Sequence, residues 1–331
     1  MCAMDSCVTW PCAALEREPL GPRTTLGVGG PAAWLLEPAT PEELRAALCA
    51  AREQGWPVRL LGAGANLLVD DGEHPYVVIT TERMRRLFRA PRDAQRERGA
   101  ALFLELDAQA DEAAGERDPR LIAWAGVSLP GLVNKAAALG LGGLEGLVGV
   151  PGHVGGGLAM NAGGRWGELW DHVESALVVD EQGELQELTR ANHAVGYRDG
   201  KLGARVVVGA VLRLEPGSPA EVQARTREYL QAKRSAQPLT ERSAGCVFQN
   251  PPREASDGRS AGQLLEAAGC KGLRIGDALV SPKHANFLVN AGRARSADAR
   301  ALIERMRRAV HDRFGIELRQ EVKDWRAAPP G

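Results

Sequence analysis

Two glycine-rich segments of the chain have the composition of loops that bind an anion. Gly62-Ala-Gly-Ala-Asn66 directly follows a predicted strand, and residues 149–164 contain seven glycines and no carboxylate. Glycine allows main-chain N–H groups to converge on phosphate oxygens. Each segment alone is better explained by ordinary turns, whereas two of them together favour a cofactor that carries a diphosphate.

The dinucleotide-binding pattern G-x-G-x-x-G does not occur in these segments. Gly62-x-Gly64 runs into Leu67, and the looser match Gly27-x-Gly29-x-x-Ala32 contains Pro31 and lacks a preceding strand. A simple Rossmann dehydrogenase is therefore not expected.

Four polar features outside the glycine segments could carry chemistry, and each also has a structural interpretation. Cys246 is either a reactive thiol or a small buried residue. Arg198 stands beside Tyr197 in a segment that is also typical of a surface turn. Glu321 lies on a predicted terminal strand, where a carboxylate is usually solvated. Residues 281–286 could bind a ligand or cap a turn.

Composition and charge exclude several classes of protein. The 41 Lys and Arg residues balance 42 Asp and Glu residues, which argues against a nucleic-acid binder. Neither the spacing of the six cysteines nor that of the histidines predicts a metal site. No signal peptide or membrane helix is predicted, so free thiols indicate a protein of the reducing cytoplasm.

The patterning predicts a loose N-terminal leader followed by three α/β units. The leader covers residues 1–20, the first lobe 21–85, the second lobe 86–218 and a third domain 219–327. A charged surface hairpin is predicted within residues 89–120. Capping signals and helical periodicity predict four helices, which begin at Pro41, Leu129, Glu221 and Ser296. Apolar runs and alternation predict strands at 34–36, 57–62, 67–69, 76–80, 121–125, 177–180, 184–188 and 206–214. A terminal strand is predicted at 316–322.

Ten short segments, in their order along the chain, resemble one family. They are Thr24-Thr25-x-x-x-Gly29-Gly30, Gly62-Ala-Gly-Ala-Asn66-Leu-Leu, Gly143-Leu-Glu-Gly146, Gly149-Val-Pro-Gly152-x-Val-Gly-Gly156, Met160-Asn-Ala-Gly163, Gly196-Tyr-Arg198, Gln237-Pro238, Ser243-Ala-Gly-Cys-Val-Phe-x-Asn-Pro251, Lys283-His-Ala-Asn-Phe287 and Glu321-Val322. From about residue 20 to 325 the chain is similar to the UDP-N-acetylenolpyruvoylglucosamine reductase (MurB) family of bacterial cell-wall synthesis.

The resemblance implies a fold, a reaction and its cofactors. The fold is an α/β, two-lobed FAD-binding domain of the PCMH/vanillyl-alcohol-oxidase type, followed by a smaller α/β substrate-binding domain. The reaction is the NADPH-dependent reduction of UDP-N-acetylglucosamine enolpyruvate to UDP-N-acetylmuramate, with FAD held noncovalently. The enzyme is expected to be a cytoplasmic monomer whose partner is this small UDP-sugar, with no membrane or nucleic acid involved.

Site residues are implied by matching each segment to the family. The implied cofactor contacts are Gly62, Gly64, Ala65, Asn66, Leu67, Gly152, Gly155, Gly156, Asn161 and Gly163. The implied substrate contacts are Tyr197, Arg234, Gln237, Asn250, Lys283 and His284.

Three residues are implied to be catalytic. Hydride delivered to the terminal carbon of the enolpyruvyl group leaves negative charge on the neighbouring carbon, and Arg198 and Glu321 face that charge. Glu321 can help if it is protonated or orients another donor, so its pKa is expected to be raised. Cys246 occupies the position of the proton donor, where familiar relatives have serine. Because the ordinary pKa of a thiol is about 8.5, we expect turnover to fall at high pH along a limb set by Cys246, and alkylation of Cys246 to block only the second half-reaction.

Four further positions depart from the family, and two other functions stay open. Ala65 and Gly200 replace serines, Gln249 replaces a lysine, and Lys323 replaces an arginine whose planar fork a lysine cannot reproduce. The alternatives are a flavin oxidoreductase of different chemistry on the same scaffold, and a flavin-binding protein whose catalysis is lost because of Cys246.

Overall fold

The computed structural model describes residues 9–89 and 118–327. The charged hairpin predicted within residues 89–120 lies almost wholly outside this part of the chain, and so do Cys2 and Cys7 of the predicted leader. Within it, the helices and strands are described below as a first lobe, a second lobe and a C-terminal unit.

The first lobe is built on a mostly parallel sheet with strand order β1-β2-β5-β3. Its elements are β1 (Ala13–Pro19), β2 (Pro31–Glu37), α1 (Pro41–Glu53), β3 (Val58–Leu61), β4 (Leu67–Val69) and β5 (His74–Thr80). Helix α1 begins as predicted, because the Thr40 side chain accepts a hydrogen bond from the Glu43 N–H at 3.2 Å. Leu44 and Leu48 of α1 are buried in a cluster with Val77 of β5. The predicted strand at 57–62 is present, but its middle is exposed because β3 lies at an edge of the sheet.

The prediction of a loose leader over residues 1–20 is wrong from residue 13 onward. Strand β1 pairs antiparallel with β2 from Ala13 to Pro19. Most of its side chains are exposed, so main-chain hydrogen bonds hold it and the sequence carries little hydrophobic signal. Cys12, just before it, packs against the core of the first lobe, and burial raises its pKa to about 11.

The second lobe contains a five-stranded antiparallel sheet with strand order β12-β11-β13-β7-β6. Its elements are β6 (Leu87–Arg89), β7 (Arg120–Trp124), α2 (Leu129–Ala138), β8 (Leu141–Gly142), α3 (Val154–Ala159), β9 (Gly163–Gly164), β10 (Gly167–Glu168), β11 (Val173–Val179), β12 (Leu185–Thr189), β13 (Val206–Arg213) and β14 (Glu215–Pro216). The β11–β12 hairpin and β13 confirm the strands predicted there. Trp170 is fully buried in the core of this lobe, between α2, α3 and the sheet.

The C-terminal unit has an antiparallel sheet with strand order β15-β18-β17-β16. The elements after β14 are α4 (Pro219–Ala236), β15 (Ser243–Cys246), α5 (Ala261–Ala267), β16 (Arg274–Ile275), β17 (Ala278–Val280), β18 (Phe287–Asn290), α6 (Ser296–Phe314) and β19 (Lys323–Trp325). Helix α6 buries Leu302, Met306 and Val310 at the predicted helical spacing and ends at Gly315.

Helix α4 packs on the second lobe rather than on the C-terminal sheet. Arg225 donates to the buried carboxylate of Glu145 at 2.8 Å, and the buried Lys233 ammonium donates to the Gly146 and Val148 carbonyls at 2.8 and 2.7 Å. This differs from the predicted boundary at residue 219, because the Pro-Gly-Ser-Pro segment leads into a helix that still covers the second lobe.

The terminal strand predicted at residues 316–322 does not form a regular ladder. Burial alternates as predicted, with Leu318 and Val322 buried and Arg319 exposed. The segment makes a single bridge, between Gln320 and Phe248. The regular strand is β19, three residues long, which pairs in parallel with β4 of the first lobe.

Arg300 of α6 joins the C-terminal unit to the first lobe. Its guanidinium donates to Asp324 at 2.8 Å and to Asp70 at 2.7 Å. Asp71 adds a second link, because its carboxylate accepts from the Ser296 main chain at 2.7 Å. The first lobe and the C-terminal unit are thus held together by charge-assisted hydrogen bonds.

Removal of this link should destabilise the protein. Arg300→Ala removes the guanidinium that bridges two partly buried carboxylates, so we expect the free energy of unfolding to fall by about 1–3 kcal/mol. Arg308→Ala is the matched control, because Arg308 on the same helix pairs with Glu304 on the surface. Its free energy of unfolding should stay within about 0.5 kcal/mol of the wild-type value. Urea unfolding of the three proteins measures both values, and equal midpoints would contradict the role of Arg300.

Candidate active site

The loop after β3 contains a row of unused main-chain donors. Within residues 9–89 and 118–327, no acceptor takes a hydrogen bond from the N–H groups of residues 62–66. A β carbon added at Gly62 would meet only His153, at 3.9 Å. Main-chain donors normally have a partner, and consecutive free ones form a concavity that suits an anion. The loop therefore fits the diphosphate of a cofactor.

The second glycine-rich segment faces this loop through helix α3. A β carbon at Gly156 would meet nothing within 4 Å, whereas one at Gly155 would lie 3.0 Å from Ala125. Gly152 adopts a φ of +130°, which side chains rarely tolerate. The Nδ1 atom of His153 is buried without a hydrogen-bond partner among the described residues. Open space at Gly156 and an unpaired polar atom beside it both fit a bound cofactor.

Three of the predicted cofactor residues also serve the protein's own packing. A β carbon at Gly64 would lie 2.3 Å from the Arg23 carbonyl, and one at Gly163 would lie 2.5 Å from Gly167. Both N–H groups of the Asn161 side chain are used, at 2.6 Å to Glu168 and 3.1 Å to the Gly196 carbonyl. The side chain of Asn161 has no donor left for a cofactor, so the predicted contact at this residue would have to involve other atoms.

The loop that carries the free N–H groups is tied to the strand that carries Cys246. The Thr25 hydroxyl contacts the Gly64 carbonyl at 3.3 Å and donates to the Ser243 carbonyl at 2.6 Å. The side chain of Asn66 donates to the main-chain carbonyl of Glu321 at 3.2 Å. Cys246 and Glu321 are thereby placed beside the loop that fits the cofactor.

Arg198 lies at the centre of the polar cluster in the cleft. Its Nε donates to Glu321 Oε1 at 3.1 Å, one terminal nitrogen to Glu168 at 3.3 Å and the other to the Gly163 carbonyl at 2.9 Å. The guanidinium also lies over the ring of Tyr197, 4.9 Å from its centroid. Its main chain has a φ of +54°, in the left-handed region. Acceptors from both the second lobe and the C-terminal unit therefore fix a single orientation of this cation.

The pKa values of Glu321 and Cys246 are both raised, and the cause is burial. The pKa of Glu321 lies above its ordinary value of 4.5 although Arg198 and Lys323 oppose the shift, which confirms the expectation from the sequence. The pKa of the Cys246 thiol is raised to about 12 by burial and by the nearby Glu321 carboxylate, while Arg198 lowers it. The thiol is thus protonated throughout the physiological range.

The structure brings some of the predicted substrate residues together. Tyr197 is 49% exposed, and its hydroxyl accepts from the Asn250 N–H at 3.4 Å across the cleft. The ammonium of Lys283 contacts the Arg234 carbonyl. Gln237 ends helix α4 through its main chain. His284 packs on Phe287 with ring centroids 5.0 Å apart, and the structure shows no contact between it and Arg198.

Two polar residues at this site were not singled out from the sequence. Glu168 lies shortly after the glycine-rich segment, next to Gly167, and accepts from both Asn161 and Arg198. Lys233 is buried, and burial together with nearby Arg198 lowers its pKa to about 8. The position of Glu168 next to the glycines could have identified it from the sequence. Nothing in the sequence distinguishes Lys233 from any other lysine on a helix.

Comparison with known proteins decides the family. The C-terminal domain model of UDP-N-acetylenolpyruvoylglucosamine reductase matches residues 237–325, and an FAD-binding domain model matches residues 32–189. The reductase of Moorella thermoacetica is 39% identical over 94% of this chain and 93% of its own. This chain belongs to the UDP-N-acetylenolpyruvoylglucosamine reductase family. A second relative, reductase 2 of Symbiobacterium thermophilum, is 38% identical over 93% of this chain and 91% of its own.

A solved structure agrees with this assignment. The crystal structure of the reductase from Thermus caldophilus matches with a TM-score of 0.72 and 35% identity, covering 95% of this chain and 98% of that one. The predicted fold class, an FAD-binding domain followed by a smaller α/β domain, is confirmed, and so are FAD as cofactor and NADPH as reductant. In the described part of the chain, no helix is long and apolar enough to cross a membrane, and no cluster of three metal-ligating side chains occurs.

A side chain at Gly156 should weaken flavin binding without disturbing the fold. Gly156→Val places two methyl groups in the open space beside the free donors, so we expect the dissociation constant of FAD to rise on the order of tenfold or more. Gly217→Val is the matched control, because its β carbon also meets no atom closer than 3.7 Å. Quenching of FAD fluorescence on titration with apoprotein measures the dissociation constant of each variant. An unchanged affinity in Gly156→Val would exclude this position from the cofactor site.

Proposed function

We propose that this protein reduces UDP-N-acetylglucosamine enolpyruvate to UDP-N-acetylmuramate with NADPH. The observation that carries the proposal is the cluster of Arg198, Glu321 and Cys246 beside the free donors of residues 62–66. It places a fixed cation, a carboxyl group of raised pKa and a protonated thiol next to the cradle for the cofactor. The relatives named above carry this activity in their names.

The chemistry that FAD supplies when bound is the transfer of hydride from NADPH to the substrate. Residues 62–66, Gly152 and Gly156 would hold its diphosphate region. Hydride addition to the terminal carbon of the enolpyruvyl group leaves negative charge on the neighbouring carbon and its carboxylate. A preorganised cation stabilises such charge as it develops, and Arg198 is held in place for this role by its three acceptors.

The proton that completes the reaction is assigned to the Cys246 thiol. A thiol with a pKa of about 12 is a weak acid in water but is strong relative to a carbon acid, so transfer to the enolate carbon is downhill. The buried surroundings of the Cys246 thiol keep it protonated. This departs from the expectation of a high-pH limb set by Cys246, because that limb would require a thiol pKa near 8.5.

Loss of activity at high pH should instead follow Glu321. A protonated Glu321 donates a hydrogen bond to the enolate, and its raised pKa keeps this form present above the range of an ordinary glutamate. As the pH rises through that pKa, the proton is lost and the rate should fall. We expect the limb to disappear in Glu321→Gln and to stay unchanged in Cys246→Ser, as measured by flavin reoxidation between pH 5 and 10. A limb that moves with Cys246→Ser would restore the original assignment.

The proposal is tested anaerobically. The purified yellow protein is reduced with NADPH, the enolpyruvyl sugar nucleotide is added, and the visible absorbance of the flavin is followed. Rapid reoxidation establishes the reductase. Flavin that stays reduced would favour a different acceptor or a protein that has lost catalysis, and the structure argues against such loss because Arg198 and Glu321 are intact and paired.

The setting of the reaction follows from its substrate. We propose that the protein acts as a monomer in the cytoplasm, where UDP-sugars are made, and that it contributes to peptidoglycan precursor synthesis and hence to cell shape and division. Six cysteines without a predicted secretion signal support this location.

A further inference from the structure

The carboxylate of Glu168 accepts two hydrogen bonds at the cleft. It accepts from the buried side chain of Asn161 at 2.6 Å and from Arg198 at 3.3 Å. The main-chain N–H of Glu168 donates to the Asp171 carboxylate at 2.7 Å, which anchors the residue on its own turn. Its side chain is 29% exposed, so these bonds are partly shielded from water.

These contacts connect two strained turns of the main chain. Asn161 has a φ of +43° and Arg198 a φ of +54°, and both conformations are unfavourable for side-chain-bearing residues unless the surroundings impose them. The Asn161 amide bridges the two turns, since it donates to Glu168 and to the Gly196 carbonyl at 3.1 Å. Glu168 is therefore held in one orientation before it meets Arg198.

Arg198 has five N–H groups in a fixed plane. One is used by Glu321, one by Glu168 and one by the Gly163 carbonyl, which leaves one N–H on each terminal nitrogen without an acceptor among the described residues. Glu168 and Gly163 lie on the same short hairpin, so this hairpin sets the direction of the two free donors. A ligand anion in the cleft would meet them already aligned.

We infer that Glu168 is a positioning residue, which aligns Arg198 through a carboxylate oriented by Asn161. It does not touch the reacting atoms. The inference rests on the proposed function, in which Arg198 stabilises the enolate. Misplacement of a reacting or stabilising group by about 1 Å can slow a reaction by about 10²-fold, so loss of the Glu168 carboxylate should slow flavin reoxidation by the substrate on the order of 10- to 100-fold.

A double-mutant cycle separates positioning from a general structural role. When Arg198 is present, Glu168→Ala should slow flavin reoxidation on the order of 10- to 100-fold. In an Arg198→Ala background, the same change should slow it by less than about threefold. Glu168→Gln, which keeps an oxygen acceptor for Arg198, should recover most of the rate. Glu184→Ala is the matched control, because Glu184 pairs with Arg45 on the surface and should leave the rate unchanged. A full loss on both backgrounds would overturn the inference.

A second readout does not depend on turnover. The Nε–H of Arg198, assigned in NMR spectra by its disappearance in Arg198→Lys, should exchange with water at least tenfold faster in Glu168→Ala than in the wild type, because one of the three anchors is gone. Unchanged exchange would overturn the inference even where the enzyme is active. If the wild-type flavin is not reoxidised by the enolpyruvyl substrate, the proposed function fails, while faster exchange would still support the positioning of Arg198 by Glu168.

Discussion

Replacement of Cys246 by alanine is expected to slow reoxidation of the reduced flavin by the enolpyruvyl sugar nucleotide by about 10²- to 10⁴-fold, the usual contribution of a positioned general acid. The thiol holds its proton throughout the physiological pH range, since burial raises its pKa to about 12. Cys270, the other thiol of the C-terminal unit within the described residues, cannot replace it, because Cys270 is buried in the core of that unit. Stopped-flow absorbance of the flavin measures this step separately from its reduction by NADPH.

Three controls make the result specific. Reduction of the flavin by NADPH and the flavin content should be unchanged in Cys246→Ala, because the change lies after the first half-reaction. Cys246→Ser should stay within about tenfold of the wild type, since the hydroxyl can occupy the same place. Cys270→Ala should lower stability, because it leaves a small cavity, but should leave the rate of reoxidation intact. A Cys246→Ala enzyme that reoxidises at the wild-type rate would remove the thiol from the mechanism.

The raised pKa also changes what alkylation of Cys246 can show. The thiolate is the reactive form, and with a pKa of about 12 only about one thiol in 10⁴ is ionised at pH 8. We therefore expect iodoacetamide to modify Cys246 far more slowly than an exposed thiol. Substitution is the better test of its role.

The sequence predicted elements whose signals are local. Helix α1 carries its own cap at Thr40, and α6 carries buried residues at helical spacing and a terminal glycine. Strand β1 could not be predicted in this way, because its mostly exposed side chains provide no hydrophobic alternation and main-chain hydrogen bonds to β2 hold it in the sheet. The segment at 316–322 has the alternation of a strand. It does not form a regular ladder, because the carbonyl of the neighbouring Val247 accepts from two successive N–H groups of the segment.

The site shows the same division between local and tertiary information. The glycine loops, Arg198, Cys246 and Glu321 were found from the sequence, because they lie in the ordered segments that resemble the family. The pKa of Cys246 depends on burial and on two side chains about 50 and 75 residues away in sequence, so the reference pKa of a free thiol cannot represent it. Glycines of the two glycine-rich segments also differ in purpose, since Gly156 faces open space while Gly64 avoids a clash with Arg23.

Arg198→Lys is expected to lower kcat by about 10²- to 10³-fold, although the charge is kept. Loss of one fixed donor to a developing oxyanion has an effect of this size. A lysine ammonium has no planar fork and cannot reach Glu321, Glu168 and the Gly163 carbonyl together while still facing the substrate. We expect KM to change less than kcat, because the substrate carboxylate is still attracted by a positive charge, and steady-state kinetics measure both.

Arg190→Lys is the matched control for this substitution. Arg190 lies in the same loop region and donates only to the His193 carbonyl on the surface, so its replacement should leave kcat within about twofold. The comparison separates charge from geometry. If Arg198→Lys retained the wild-type kcat, a simple positive charge would be sufficient at this position, and the three acceptors around Arg198 would have a structural purpose only. A loss confined to Arg198→Lys would mean that the fixed orientation of the guanidinium, rather than its charge, stabilises the enolate.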